Sequence, residues 1–307
     1  MELQGLMNLQ LMMFLEIGVG WYLRHKNLIT DGGKKCLTDL IIDVVLPCNI
    51  IQSFCIEFDA QILLRCLQVL VISLVLQMFC TLISATCYNR VEKDRKPILQ
   101  YATVCSNSGF LGNPVAEGLY GSLGLLYAAV YLIPQRIVMW SAGVSYYTES
   151  PSRREVVKKV LTHPCIIAVE IGLVLMVTQI ELPVFLSKTI GSLSSGTTSL
   201  TMLLIGAIMA GADLKTMVTR ETAWFSVVRL LLIPAAVCAG CYLFRIDALA
   251  AGLSVVLAAM PAGSTTAILA AKYDRNEEFA SKCVVLTTLL SMVMIPAWCL
   301  FVAYLWK

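Results

Sequence analysis

Long apolar runs recur along the whole chain, separated by short polar stretches, and most are about as long as a membrane-spanning helix. A bilayer core about 30 Å thick needs about 20 helical residues. The pattern therefore predicts an all-α polytopic membrane protein. Its ten transmembrane helices are expected at about 5–23, 34–54, 61–87, 98–119, 122–147, 162–180, 183–211, 222–244, 247–271 and 277–305.

Composition supports this interpretation and excludes several classes of function. The chain is 58% hydrophobic and 14% charged, whereas soluble domains are about 25% charged. Most of the 12 Cys lie in apolar runs, where Cys acts as a small hydrophobe, and no Cys/His cluster has zinc-ligand spacing. No nucleotide-binding motif appears. We expect no metal, no cofactor, no nucleic-acid partner and no ATP-driven pump.

Positive charge alternates between the loops of this prediction. The odd-numbered loops contain most of the 23 Lys and Arg residues, and the even-numbered loops contain almost none beyond Arg245. Cytoplasmic loops collect Lys and Arg. We therefore predict a multi-pass protein of the cell membrane with both termini outside the cytoplasm. The first run has no positively charged leader and no small-residue cleavage site, so we interpret it as a retained span.

The chain divides into two halves of five spans, residues 1–150 and 151–307. An odd number of spans per half requires the halves to insert with opposite orientation. The words LEIGV at 15–19 and VEIGL at 169–173 occupy matching positions in the two halves. The pattern predicts a 5+5 inverted repeat.

Polar interruptions lie in the fourth and ninth predicted spans, at 106–114 and 260–266. Gly and Pro weaken helices, and we assign the helix breaks to Gly112, Pro114 and Pro261. Interrupted helices at matching positions of inverted halves are a sequence indicator of a transporter's binding site. Backbone groups freed by the breaks must line a cavity or bind a ligand, and half-helix N-termini favour anions. Kinked helices without cargo are the alternative.

The sequence resembles the auxin efflux carrier family, whose plant members export auxin. The resemblance covers essentially the whole chain. The matching words are VLPC at 45–48, NSGFLGNP at 107–114, LYG at 119–121, MLLIGA at 202–207, AAMPA at 258–262, AAKY at 270–273 and TTLLS at 287–291, followed by Pro296.

The resemblance implies a homodimer in which the fourth and ninth helices cross at their breaks. It implies a scaffold from residues 5–54 and 162–211, and a transport domain from 61–147 and 222–305. Substrates in the family are small organic anions such as auxin, malate or malonate. The plant carriers have Pro where this chain has Ser106, so auxin specificity does not transfer. The missing long central loop favours a bacterial-type member.

Several residues near the breaks have side chains suited to a carboxylate. The resemblance aligns Asn107 with the Asn that binds auxin's carboxylate in plant carriers, although Asn also links helices to one another. Arg136 suits a carboxylate, but it could pair with Glu117 or reach the interface. Ser and Thr could bind substrate or their own helix. The candidate substrate-binding residues are Ser106, Asn107, Ser108, Gly109, Arg136, Pro261, Gly263, Ser264 and Thr265.

Asp39 and Asp43 are spaced to share one face of the second helix. They are candidates for proton or cation coupling. The alternatives are ion pairs with Lys188 or Arg229, or a position near the cytoplasmic end where water reaches.

These features predict a secondary transporter of a small organic anion, a mono- or dicarboxylate, that uses elevator-type alternating access. Its expected partners are the anion, the lipid bilayer and a second copy of the chain. A non-transporting receptor or sensor on the same fold is the alternative, although no output domain is visible. An intramembrane enzyme is a third reading, but the acidic residues and His163 have no catalytic spacing, so we expect no enzyme.

Overall fold

The computed structural model describes residues 3–57, 59–147, 152–211 and 216–306, which are mostly helical and contain no strand. In chain order the helices are α1 (Leu3–His25), α2 (Asp31–Phe54), α3 (Ala60–Thr86), α4 (Lys96–Val104), α5 (Ser108–Val138), α6 (Arg153–Leu161), α7 (Pro164–Thr178), α8 (Val184–Ser194), α9 (Thr197–Met209), α10 (Arg220–Leu243), α11 (Ala248–Ala258), α12 (Thr265–Lys272) and α13 (Glu277–Leu305). The all-α prediction is confirmed. The predicted boundary between the halves at 150/151 lies outside the described residues, as does Lys215, one of the basic residues of the predicted seventh loop.

Within the described residues, six helical segments are long and apolar enough to cross a membrane: α2, α3, α5, α8 with α9, α10 and α13. Two shorter apolar helices are α7 and α11. The outer face of α3 exposes a continuous set of large apolar side chains, Leu63, Leu64, Leu67, Val71, Leu74, Val75, Met78 and Leu82. Lipid suits such a surface, and water does not. Ten spans in an inverted repeat remain a prediction.

The predicted fourth loop is a single kink at Gly121. The backbone there has a φ of 63° and a ψ of −153°, which interrupts α5. A positive φ is readily adopted only by glycine because it has no Cβ. The chain therefore passes from the fourth predicted span into the fifth without an extended loop.

Three of the prolines in the apolar helices follow wide, π-helical turns. Proline has no N–H, and its ring collides with the carbonyl four residues earlier. A π turn relaxes that regular spacing, so the helix continues through the proline. Three such turns are Ile41–Val45, Ser108–Gly112 and Val228–Leu232, followed two residues later by Pro47, Pro114 and Pro234.

The first helix packs backbone to backbone against α9, in the opposite half of the chain. A Cβ on Gly20 would lie 2.2 Å from the Leu203 carbonyl oxygen, and one on Gly206 would lie 2.0 Å from the Ile17 carbonyl oxygen. Small residues permit such close approach between membrane helices. The two glycines thus fix the distance between α1 and α9.

A second contact between the halves joins α2 to α7 and α8. The Phe54 ring packs directly over Gly172, where a Cβ would lie 2.6 Å from ring atoms. The Asn49 side-chain amide donates to Ser194 Oγ at 3.0 Å and to Glu117 Oε2 at 3.3 Å. Helices α1, α2, α7, α8 and α9 therefore contact one another across the two halves.

Candidate binding site at the two helix breaks

The two interrupted segments meet and pair through their backbones. The Asn107 N–H donates to the Pro261 carbonyl at 2.8 Å, and the Gly263 N–H donates to the Cys105 carbonyl at 3.0 Å. Ser106 and Ala262 form an isolated antiparallel bridge between them. Backbone groups that the helices release are thus satisfied by the opposite break, as a lipid-depth location requires.

Gly263 makes this close pairing sterically allowed. A Cβ at that position would lie 3.0 Å from the Cys105 carbonyl oxygen and 3.2 Å from that of Ser106. Any larger residue would push the two breaks apart. Gly263 therefore contributes to the crossing by allowing the two backbones to approach closely.

Irregular backbone in the first break lies at residues 105–107, between α4 and α5. Gly112 ends the π turn that opens α5, and Pro114 lies in the first turn of its α-helical part. Neither residue interrupts the helix, because the π turn accommodates the proline. Pro261 does lie in the non-helical segment between α11 and α12, as expected.

The hydroxyls of Ser106 and Ser108 are used to hold the crossing together. They lie 2.6 Å apart, and the Ser108 hydroxyl donates to the Leu257 carbonyl at 3.1 Å. The Ser106 hydroxyl donates to Gln135 Oε1 at 2.8 Å, and Gln135 Nε2 returns a bond to the Ser106 carbonyl at 2.8 Å. These bonds tie the first break to α11 and to the later part of α5.

The second break is held by side chains from three other helices. Arg229 Nε, on α10, donates to the Met260 carbonyl at 2.9 Å, and Thr287 Oγ1, on α13, accepts from the Ala262 N–H at 3.1 Å. The Tyr101 hydroxyl, on α4, donates to Thr265 Oγ1 at 3.2 Å. The Met260 carbonyl and the Ala262 N–H, two backbone groups freed by the break, therefore have hydrogen-bond partners in the protein interior.

A cavity of about 90 Å³ lies beside the crossing. That volume holds several water molecules or a small organic acid. The described residues that line it include no Asp or Glu. The lining is Ile42, Leu46, Ser106, Asn107, Gly109, Phe110, Leu132, Gln135, Arg136, Met139, His163, Cys165, Gly263, Ser264 and Thr265.

Arg136 is the cation of this cavity. It is 6% exposed, and its Nη1 is buried without a hydrogen-bond partner. It forms no ion pair with any residue that the structure describes. Glu117 instead accepts a hydrogen bond from Asn49. The guanidinium is thus a buried positive charge without a carboxylate, an arrangement that is costly unless an anion binds there.

Asn107 and Ser264 contribute neutral polar groups to the same cavity. Asn107 is 3% exposed, and its backbone is committed to Pro261, Leu111 and Gly112, so the side-chain amide remains for the cavity. Ser264 is 4% exposed, and its hydroxyl is buried without a partner. An amide N–H and a hydroxyl both donate to carboxylate oxygens. Gly109 leaves open space at the cavity wall, with nothing within 4 Å of a Cβ there.

Three residues around the crossing were not among the sequence candidates for binding: Gln135, His163 and Arg229. Gln135 and His163 line the cavity, and His163 also caps α7, because its Nδ1 accepts from the Cys165 N–H at 3.2 Å. The sequence indicates Arg229 only as a possible partner for the aspartates. A polar residue inside an apolar run was the available signal for Gln135 and Arg229.

Asp39 and Asp43 are not part of the cavity wall, although Asp43 follows Ile42 of the lining and interacts electrostatically with Cys165. Both side chains are exposed, and neither is part of the cavity lining. Asp43 belongs to the π turn of α2, whose wide spacing changes the face that a regular helix would give it. Neither forms an ion pair with Arg229 or Lys188 in the described part of the chain. Their role in coupling remains a prediction.

Comparison with known protein families gives a match over almost the whole chain. A family described as “Membrane transport protein” matches residues 6–299. The chain belongs to this family, the auxin efflux carriers. The resemblance found in the sequence motifs is thereby confirmed, and the chain is a multi-pass protein of a membrane transporter family.

Two archaeal relatives in the carrier family are named as transporters. An uncharacterized transporter of Methanothermobacter thermautotrophicus is 30% identical over 203 residues, which cover 65% of this chain and 66% of that protein, less than two thirds of its length. An uncharacterized transporter of Methanocaldococcus jannaschii is 22% identical over 300 residues, or 95% of this chain and 97% of that protein. Their names indicate transport but no substrate.

Proposed function

We propose that this protein is a secondary carrier of a small organic anion, a mono- or dicarboxylate such as an auxin-like acid, malate or malonate. The observation that carries the proposal is the buried guanidinium of Arg136, which faces a cavity without an acidic residue in its described lining. Asn107 and Ser264 add donors without charge. The three groups together form a positive, hydrogen-bond-donating wall suited to a carboxylate.

The remaining walls favour a compact organic acid over an inorganic ion. Ile42, Leu46, Phe110, Leu132 and Met139 make much of the lining apolar. A small carbon skeleton buries its apolar surface there, while its carboxylate meets the polar wall. Outward movement of one negative charge would be favoured by about 2.3 kcal/mol per 100 mV of membrane potential.

The proposed mechanism is elevator-type alternating access in a homodimer. Each copy of the chain would have ten spans arranged as a 5+5 inverted repeat. The proposed scaffold, residues 5–54 and 162–211, is supported by the contacts of α1 with α9 and of α2 with α7. The proposed transport domain, residues 61–147 and 222–305, contains both broken helices. The cavity lies between the two parts, since Ile42, Leu46, His163 and Cys165 of its lining belong to the proposed scaffold. Movement of the transport domain would carry Asn107, Arg136 and Ser264 across the membrane with the bound anion.

Counterflow in proteoliposomes tests the carrier. Vesicles loaded with unlabelled malate, malonate or indole-3-acetate should accumulate the matching labelled acid above protein-free vesicles. Absence of uptake for every member of a broad carboxylate panel would refute carriage. Carboxylate binding without counterflow would support the receptor or sensor instead.

A further inference from the structure

The short helix α6 has a surface that the transport site does not explain. It joins the two halves of the chain and carries Arg153, Arg154, Lys158 and Lys159 in nine residues. A capping box defines its start. Ser152 Oγ accepts from the Glu155 N–H at 3.3 Å, and the Ser152 N–H donates to Glu155 Oε2 at 2.9 Å. The helix therefore begins at a position fixed by its own sequence.

Two different faces run along α6. Val160 is 9% exposed and belongs to the buried side. Val157 and Leu161, one turn apart, are 55% and 54% exposed. Arg154 and Lys158 are also exposed and one turn apart, and the helical repeat puts them beside the aliphatic pair. The outer face thus combines two exposed aliphatic side chains with two cations.

Contacts with the bundle hold this face in place. Helix α6 packs against the π turn Met139–Gly143, against the end of α5 and against α7. It lies in the fifth predicted loop, which the positive-charge rule puts on the cytoplasmic side. Among the described residues, neither Arg154 nor Lys158 has an ion-pair partner. Water solvates the two cations well, but it does not favour the exposed Val157 and Leu161.

We propose that α6 docks on the cytoplasmic leaflet through anionic lipid headgroups. Arg154 and Lys158 meet lipid phosphates, while Val157 and Leu161 enter the boundary between headgroups and acyl chains. A helix with cations beside an exposed apolar stripe suits this boundary, and the leaflet's negative charge complements the cations. The inference depends on the membrane location of the chain and is independent of its cargo.

A probe on α6 in the full-length protein tests the docking. The exposed thiols Cys36, Cys55 and Cys87 are replaced by Ser, and Val157→Cys is labelled with an environment-sensitive fluorophore. The protein is placed in nanodiscs of phosphatidylcholine with increasing phosphatidylglycerol. We expect a blue-shifted emission that grows with phosphatidylglycerol and weakens at high salt. Inorganic phosphate added to phosphatidylcholine nanodiscs should give no shift.

Charge variants provide the matched comparison. The pair Arg154→Gln and Lys158→Gln should raise the phosphatidylglycerol fraction needed for half of the shift by at least about fivefold. The pair Arg90→Gln and Lys93→Gln removes two exposed cations from the third loop and should change it little. Equal effects of both pairs would overturn the proposal, as would emission typical of water in phosphatidylglycerol nanodiscs. A phosphate-induced shift or a shift without phosphatidylglycerol would also overturn it.

Discussion

Arg136 and Arg229 are both buried beside the helix crossing, but their surroundings give them different roles. Arg229 donates to the Met260 carbonyl and so satisfies a backbone group released by the second break. Arg136 has a buried nitrogen without a partner and faces the cavity. A guanidinium nitrogen without a partner in the protein is available to an anion. Of the two, Arg136 is the one that should discriminate by substrate charge.

Substitution Arg136→Gln should weaken carboxylate binding without weakening the fold. Loss of a charged hydrogen bond predicts about 10- to 100-fold lower affinity. Removal of an unpaired buried charge should leave the unliganded melting temperature unchanged or higher. Thermal unfolding of purified protein, titrated with carboxylates and with their neutral amides, measures both quantities. A lower unliganded melting temperature with unchanged carboxylate affinity would assign Arg136 a structural role instead.

Two neighbouring threonines on α13 differ in one respect. The side chain of one bonds to the helix crossing as well as to its own helix, and the side chain of the other bonds only to its own helix. Thr287 and Thr288 are both buried, and both hydroxyls donate to their own helix, at 2.7 Å to the carbonyls of Cys283 and Val284 respectively. Of the two hydroxyls, only that of Thr287 also accepts a bond, from the Ala262 N–H. The two positions form a matched pair for testing that bond.

Thr287→Val should destabilise the protein by about 1–3 kcal/mol more than Thr288→Val, because it leaves a buried backbone N–H without an acceptor. Chemical or thermal unfolding in one detergent measures the difference. Equal losses of stability in the two variants would show that the Ala262 bond contributes nothing.

Among whole elements, the contact of α1 with α9 joins the two halves most closely. Gly20→Ala should lower the melting temperature and separate the helices, since the new methyl group would overlap the Leu203 carbonyl. Gly18 lies two residues away with nothing within 4 Å of a Cβ, so Gly18→Ala is the control. It should be neutral or stabilising by up to about 1 kcal/mol from helix propensity. A melting temperature for Gly20→Ala equal to that of Gly18→Ala would contradict the close contact.

Element positions were largely predictable from apolar run lengths, but the first break was placed too late in the chain. Gly112 and Pro114 signalled irregularity, yet the π turn keeps them helical, and the chain departs from the helix at 105–107. No local propensity distinguishes these outcomes, because the opposite break supplies the partners that stabilise Cys105 and Asn107. The second break needed no such correction, since Pro261 lies in it.

Long-range packing also explains which site residues were missed. Gln135 holds Ser106 across 29 positions of sequence, and His163 reaches the cavity from the start of α7. Periodicity cannot pair residues on separate helices. Arg136 and Asn107 were recognisable without the structure, because polar groups inside apolar spans are uncommon and indicate function.

At the scale of the whole molecule, native cysteines can test the predicted orientation. Cys55 lies in the second loop, whereas Cys36 and Cys87 lie near the first and third, and all three are exposed. The alternation of Lys and Arg predicts that the second loop faces outwards. A membrane-impermeant maleimide should therefore modify Cys55 in intact cells, and Cys36 and Cys87 only after permeabilisation. The reverse pattern would invert the topology and place both termini in the cytoplasm.

The central claim is that the cavity at the crossing carries an anion across the membrane. Its most direct test is the initial rate of labelled-carboxylate counterflow in proteoliposomes containing wild-type, Asn107→Ala, Arg136→Gln or Ser192→Ala protein. Ser192 is exposed and away from the cavity, so its variant controls for substitution and reconstitution. We predict wild-type rates for Ser192→Ala and, at subsaturating substrate, rates at least about tenfold lower for the other two. Equal rates for all four proteins would contradict the claim.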